Sequence, residues 1–279
     1  MRYPEGSIQL NQSRDLPLLR QVLHSEFITR SQLFAFMELH NYERSRNSLD
    51  WRIRRLVERG LVVRQTAVAG IGDVVYSLAN DAAELLQSMG EYCLIGRGRS
   101  TGKNGNQSVL HAVGLNDIHL SLMRSHLLVR WISAMQIRSQ NELTDYGFVK
   151  DYDAVVTVRT EIGEYRFALE YERTPKAMKY YSAIASCIGE ETHLSRLLYL
   201  VTNYDLLRFI SRFFRQSKCA VFFGLVGDWH SQLLETPVSS ASSKRPIPFR
   251  EALHGAATYP AGTPLNYRFP SIELSMSTY

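Results

Sequence analysis

Residues 44–60 read RSRNSLDWRIRRLVERG. Leu49, Ile53, Leu56 and Val57 recur at helical spacing, and Gly60 is a residue suited to ending a helix, so the spacing predicts a helix that buries one apolar stripe. At about 100° per residue, Asn47, Trp51, Arg54 and Glu58 then project from the opposite side. Asp50 and Arg55 flank that face, and Arg44 and Arg46 stand at its N-terminal approach. Between Arg44 and Arg64, seven arginines face two acids, and the resulting +5 equals the formal net charge of the whole chain. Arginine forks and asparagine amides are the groups that reach phosphates and base edges in duplex DNA.

On the N-terminal side, SRDLPLLRQVLHSEF (13–27) spaces Leu16, Leu19, Val22 and Leu23 as a first helix with Ser13 as its cap. TRSQLFAFMELH (29–40) makes a second, capped by Thr29, and the polar turn NYERS follows. After Gly60 the period becomes that of strands. LVVRQTAV, the turn AGIGD and VVYSLA predict a β-hairpin, and NDAAELLQSMGEY predicts a further helix capped by Asn80. This order of parts resembles the winged helix-turn-helix family, with TRSQLFAFMEL and RRLVERGLV carrying the likeness. It implies binding of double-stranded DNA through Arg44, Arg46, Asn47, Trp51, Arg54, Arg55 and Arg64. The alternative is a small helical bundle with a solvated arginine face.

The second half alternates strand and helix. VLHAVGLNDIHLSLMRSHL (109–127) predicts a helix, VRWISAMQIRS a strand, and DYDAVVTVRT and EYRFALEYER a hairpin around EIGE. A helix capped by Thr174 with Pro175 in its first turn comes next, then RLLYLVTNY, DLLRFISRFFRQ and AVFFGLVGD as strand, helix, strand. Alternation with period 2 puts Glu170 and Glu172 on one face of their strand, and Asp151 with Asp153 on one face of its neighbour. Acids converging there could hold Mg²⁺ or Mn²⁺ through Asp153 and Glu170, with Lys176 assisting a developing anion. Their alternative role is in strand-edge salt bridges, for example Glu172 with Arg166 or Arg173.

This arrangement resembles the PD-(D/E)XK, restriction-endonuclease-like fold. A winged helix followed by such a domain resembles the replication-relaxation family of plasmid and mobile-element proteins, over about residues 13–228. HAVGLNDIHLSL, YDAVV and FALEYERTPK with KYY are its most specific pieces. The resemblance implies an α+β chain with a winged helix-turn-helix at 1–95 and a nuclease-like α/β domain at 109–235, while composition reads a basic flexible linker at 96–108 and a Ser/Pro-rich irregular tail at 236–279. It places Asp153 and Glu170 at the two central acidic positions, with Glu172 and Lys176 completing the catalytic set. Glu172 occupies the place where an active nuclease usually has lysine, so Lys176 or Lys179 would have to supply the charge.

Three functions follow as expectations. The first is a DNA-binding protein acting in replication, maintenance or transcription control, its nuclease-like domain degenerate. The second is an Mg²⁺- or Mn²⁺-dependent endodeoxyribonuclease targeted by the winged helix, and the third a scaffold for a replication or transfer protein. A homodimer would read a palindromic site. With 45% hydrophobic and 21% charged residues, no apolar run long enough to span a membrane and no signal-peptide core, the chain is expected in the cytoplasm. Three widely spaced cysteines predict neither disulfides nor a zinc site, and His111 and His119 read as packing or surface residues. Walker, Rossmann and nucleophile-elbow motifs are absent from the sequence.

Overall fold

The computed structural model describes residues 10–65, 67–91, 105–145, 147–215, 217, 219–243 and 245–254. The protein divides into two compact units between Val109 and Leu110.

The first unit contains α1 (Asp15–Ser25), β1 (Phe27–Thr29), α2 (Arg30–Leu39), α3 (Arg46–Glu58), β2 (Val62–Arg64), β3 (Val75–Leu78) and α4 (Asn80–Ser88). Thr29 caps α2 reciprocally: its hydroxyl accepts the Gln32 N–H at 3.1 Å, and the Gln32 amide oxygen accepts the Thr29 N–H at 3.2 Å. α2 stops at Asn41, whose φ of 60° lies in the left-handed region that asparagine tolerates. The Tyr42 and Asn41 N–H groups then satisfy the Met37 and Glu38 carbonyls at 2.8 and 2.9 Å. Gly60 ends α3 by the same device, with φ at 70°. Ile28, Phe36, Leu49, Ile53, Leu56 and Val62 are each nearly or fully buried.

Local departures from expectation have visible causes. Ser13 does not cap α1; the Asn11 side chain accepts the Ser13 and Arg14 N–H groups instead. Ala79, not Asn80, precedes α4, and no side chain caps it. The hairpin strands are shorter than their apolar runs, and β1 joins them, giving a sheet of order β1-β3-β2.

The second unit contains α5 (Gly105–Arg124, its first turn belonging to the preceding unit), β4 (Leu128–Ser133), α6 (Ala134–Leu143), β5 (Ala154–Arg159), β6 (Glu164–Glu172) and α7 (Met178–Ile188). β7 (Arg196–Val201), α8 (Tyr204–Ser211), β8 (Ala220–Leu225), α9 (Val226–Gln232), β9 (Pro237–Ser240), β10 (Ile247–Pro248) and α10 (Phe249–His254) complete it. Its sheet has seven strands in the order β10-β9-β8-β7-β6-β5-β4. β6, β7 and β8 run parallel, and the other pairs are antiparallel. Both faces are covered. Phe167 and Leu169 pack with Ile118, Leu122, Trp229 and Phe249 on one, while Ala168 packs with Tyr181, Tyr199, Leu206 and Phe223 on the other.

Residues 134–139, read as the end of a strand, belong to α6, because Ser133 and Gln136 make a capping box that starts a helix there. α7 begins at Met178 rather than after Thr174, so Lys176 lies in the extended approach to the helix. Residues 237–254, read as irregular, extend the sheet and add α10, and Val238 and Phe249 are fully buried. Of the linker reading, 96–104 lies outside the described residues, and 105–108 open α5. Residues 255–279 of the tail also lie outside them.

Candidate functional site

In the first unit α3 is pinned by its own arginines. Asp15 is fully buried in the first turn of α1; it accepts the Asn11 N–H at 2.7 Å and Arg52 Nη1 at 3.0 Å, and Arg55 Nη2 also donates to it. Arg52 Nε donates to Glu43, buried in the turn before α3. Two of the seven arginines that made this stretch basic are therefore neutralised within the unit. Arg55, expected on the DNA-facing side, is half-buried, bonded to Asp15 and stacked 5.1 Å from the centre of the Trp51 ring. Arg30 and Asp50 form a further pair, with Nε 2.6 Å from Oδ1.

The remaining expected residues are open to solvent. Arg44, Arg46, Asn47, Trp51, Arg54 and Arg64 are all exposed, Trp51 by 52%. Arg46 lies over the Phe34 ring at 5.5 Å, which fixes its stem beside α2. Arg44, Arg46, Arg54 and Arg64 carry no ion pair among the described residues. An exposed aromatic ring between cations, on a helix whose other face is locked, can lie against a nucleic acid without rearranging the core.

In the second unit the register Ala154↔Leu169 sets Asp153, one residue ahead, across from Glu170. Each acid has acquired a cation. Asp153 Oδ2 accepts the Tyr171 N–H at 2.7 Å and Oδ1 lies 3.2 Å from His111 Nε2; Lys150 Nζ donates to Glu170; Lys176 Nζ is 2.9 Å from Glu172 Oε2. Glu172 thus pairs with Lys176 rather than with Arg166 or Arg173. Burial pushes Glu170 up to about 7, the neighbouring Asp153 charge adding to it and Lys150 opposing. Burial acts the same way on Asp153, but His111, the Tyr171 N–H and Lys150 hold it below the usual carboxylate range. Burial depresses His111, and the attraction of Asp153 outweighs it and raises the imidazole.

Tyr199, opposite Glu170 in the β6–β7 register, is fully buried, and its hydroxyl has no hydrogen-bond partner among the described residues. Burial and the Glu170, Glu172 and Asp153 charges push its proton loss well above the ordinary range. Lys150, His111 and Tyr199 were not legible as site residues. His111 stood in the quoted helix, and Lys150 only three residues before Asp153, which was a signal of a kind.

A divalent cation needs open carboxylate oxygens. Both oxygens of Asp153 are engaged, and Lys150 holds one of Glu170. Among the described residues no three His, Cys, Asp or Glu side chains form a group that could hold a metal ion. As arranged, the expected metal pair does not fit an ion.

A family model described as replication-relaxation matches residues 19–184, more than half of the chain. The chain belongs to the replication-relaxation family. That membership supports a role in the replication of mobile elements. Comparison with curated proteins and with solved structures gives no significant match. In this replication-relaxation chain the matched span holds all of α3, His111, Lys150, Asp153, Glu170, Glu172 and Lys176, whereas Tyr199 lies beyond it. No helix among the described residues is long and apolar enough to cross a membrane.

Proposed function

We propose that this chain binds double-stranded DNA of a plasmid or other mobile element and acts there in replication, maintenance or transcription control. The first unit is a winged helix-turn-helix: α2 and α3 form its helix pair, α3 enters the major groove, and the segment from β2 to β3 is the wing. One observation carries this reading. Asn47, Trp51 and Arg54 stand exposed along one face of α3 with Arg46 exposed at its N-terminal end, while Arg52 and Arg55 tie the helix to Asp15 and Glu43. A gel-shift titration with duplex from the protein's own replicon tests it. Arg54→Ala should weaken binding roughly tenfold, as loss of a base or phosphate contact does, and unchanged affinity removes α3 from the interface.

The second unit is a PD-(D/E)XK-like domain. Its three carboxylates, neutralised by Lys150, Lys176 and His111, favour a degenerate site. A second reading, an Mg²⁺- or Mn²⁺-dependent endonuclease, draws on the gathering of Asp153, Glu170, Glu172 and Lys176 at one end of the sheet. Incubating supercoiled plasmid with either ion decides between them. Cleavage abolished by Glu170→Ala establishes the nuclease, and intact plasmid under conditions of full binding establishes the degenerate domain.

A further inference from the structure

We infer that the second unit carries a separate binding ledge for single-stranded DNA, built from the approach to α7 and the first turns of α7 and α8. β6 and β7 end side by side, with Glu172 opposite Val201, and each leads towards a helix. The Thr202 hydroxyl donates to the Arg173 carbonyl at 3.2 Å, which ties the two exits together. Tyr181, fully buried, stacks on Phe213 at 5.5 Å, meets Phe209 edge-on at 5.7 Å, and accepts the Lys176 N–H at 3.0 Å. The base of the ledge is therefore rigid.

Its upper surface is unusual for a helix start. Met178, Tyr180 and Tyr204 are exposed by 63%, 55% and 66%. Lys179 Nζ lies 5.4 Å from the Tyr180 ring centre. From Arg173 to Gly189 the chain has three cations and no acid; Lys176 is paired with the adjoining Glu172, and Asp205 lies next to Tyr204 in the first turn of α8, so Arg173 and Lys179 leave the ledge with a small cationic excess. Aromatic faces interleaved with lysines suit a strand whose bases are unstacked and turned outwards: rings take the bases and ammonium groups take the phosphates. A duplex keeps its bases inside and gains nothing from exposed tyrosines. The exposed rings with Lys179 beside Tyr180, on a surface that keeps a cationic excess, favour nucleic acid over a purely apolar partner.

The test uses the full chain and fluorescence anisotropy with an oligothymidylate of about 30 nucleotides, a length that spans several aromatic contacts. Tyr180→Ala with Tyr204→Ala should weaken single-strand binding by roughly tenfold or more, while Tyr180→Phe with Tyr204→Phe retains it, because stacking needs the ring and not the hydroxyl. Duplex affinity should be unchanged in both. Arg54→Ala should show the converse pattern, so failure of the α3 reading and failure of the ledge are separable. Single-strand affinity that is unaltered in the alanine pair, as a protein-docking surface would leave it, overturns the inference. So does a loss shared equally by duplex.

Discussion

Asp15→Asn isolates what holds α3 in place. The substitution keeps the shape of the side chain and removes one negative charge from a site with no solvent exposure. Asp15, Glu43, Arg52 and Arg55 together are neutral; without the Asp15 charge the cluster carries +1, with the Arg52 and Arg55 side chains only 6% and 14% exposed. Removing one partner of a buried pair costs about 3–5 kcal/mol. Because Glu43 still serves Arg52, and Arg55 is near solvent, the low end applies, about 3 kcal/mol. Hydrogen exchange of the full chain, followed by mass spectrometry, reads this unit by itself: peptides from α1 and α3 should exchange roughly a hundredfold faster, at 1.4 kcal/mol per factor of ten. Asp50→Asn is the control. It breaks an arginine–carboxylate pair whose side chains are 42% and 28% exposed, worth about 0.5 kcal/mol and a change of roughly twofold. Equal effects of the two substitutions would refute the argument that burial gives the Asp15 network its weight.

Three further outcomes concern the second unit. The folded Glu170 carboxyl titrates near 7, above its ordinary value of 4.5, so the folded state holds the extra proton between those limits. Stability should therefore fall as pH rises from about 4.5 to 7, by about 3 kcal/mol, with the raised His111 imidazole adding its own decline above 6.5; urea midpoints check this, and Glu170→Gln should remove the decline at the acid end of that range. Lys150→Met should extend the decline above pH 7, because the cation that opposes the rise is gone. Gly114→Ala should destabilise by about 1–3 kcal/mol despite the better helix propensity of alanine: a Cβ there would sit 2.5 Å from Cε1 of Tyr171. A thermal melt reads it, and a neutral result would mean that the Tyr171 ring moves aside.

Periodicity made most of the elements legible. The apolar stripe Leu49, Ile53 and Leu56 is buried, and the alternation of Phe167 and Leu169 against Ala168 sorts onto two cores, because both patterns report local geometry directly. What could not be read was set by distant partners. Arg52 looked like any other cation in its helix until Asp15 and Glu43 met it, and β1 exists only because β3 pairs with it. A three-residue strand has no period to detect. Strand alternation placed Glu170 and Glu172 on one face and Lys176 was legible as a cation near them, but the pairing of Asp153 with His111 and of Glu170 with Lys150 depends on elements distant in sequence. Composition also misled: the serines and prolines of residues 237–254 concealed Val238 and Phe249, which the sheet buries completely.

The central claim is that the exposed arginines of α3 and its hairpin contact DNA phosphates and bases. Its most direct test is the salt dependence of duplex affinity, for the native chain and for a variant with Arg44, Arg46, Arg54 and Arg64 changed to alanine. Each phosphate contact contributes about 0.9 to the slope of log affinity against log salt. The account predicts a slope shallower by roughly 2–4 in the variant, with the far-ultraviolet spectrum unchanged. A variant that keeps both the native slope and the native affinity would contradict it.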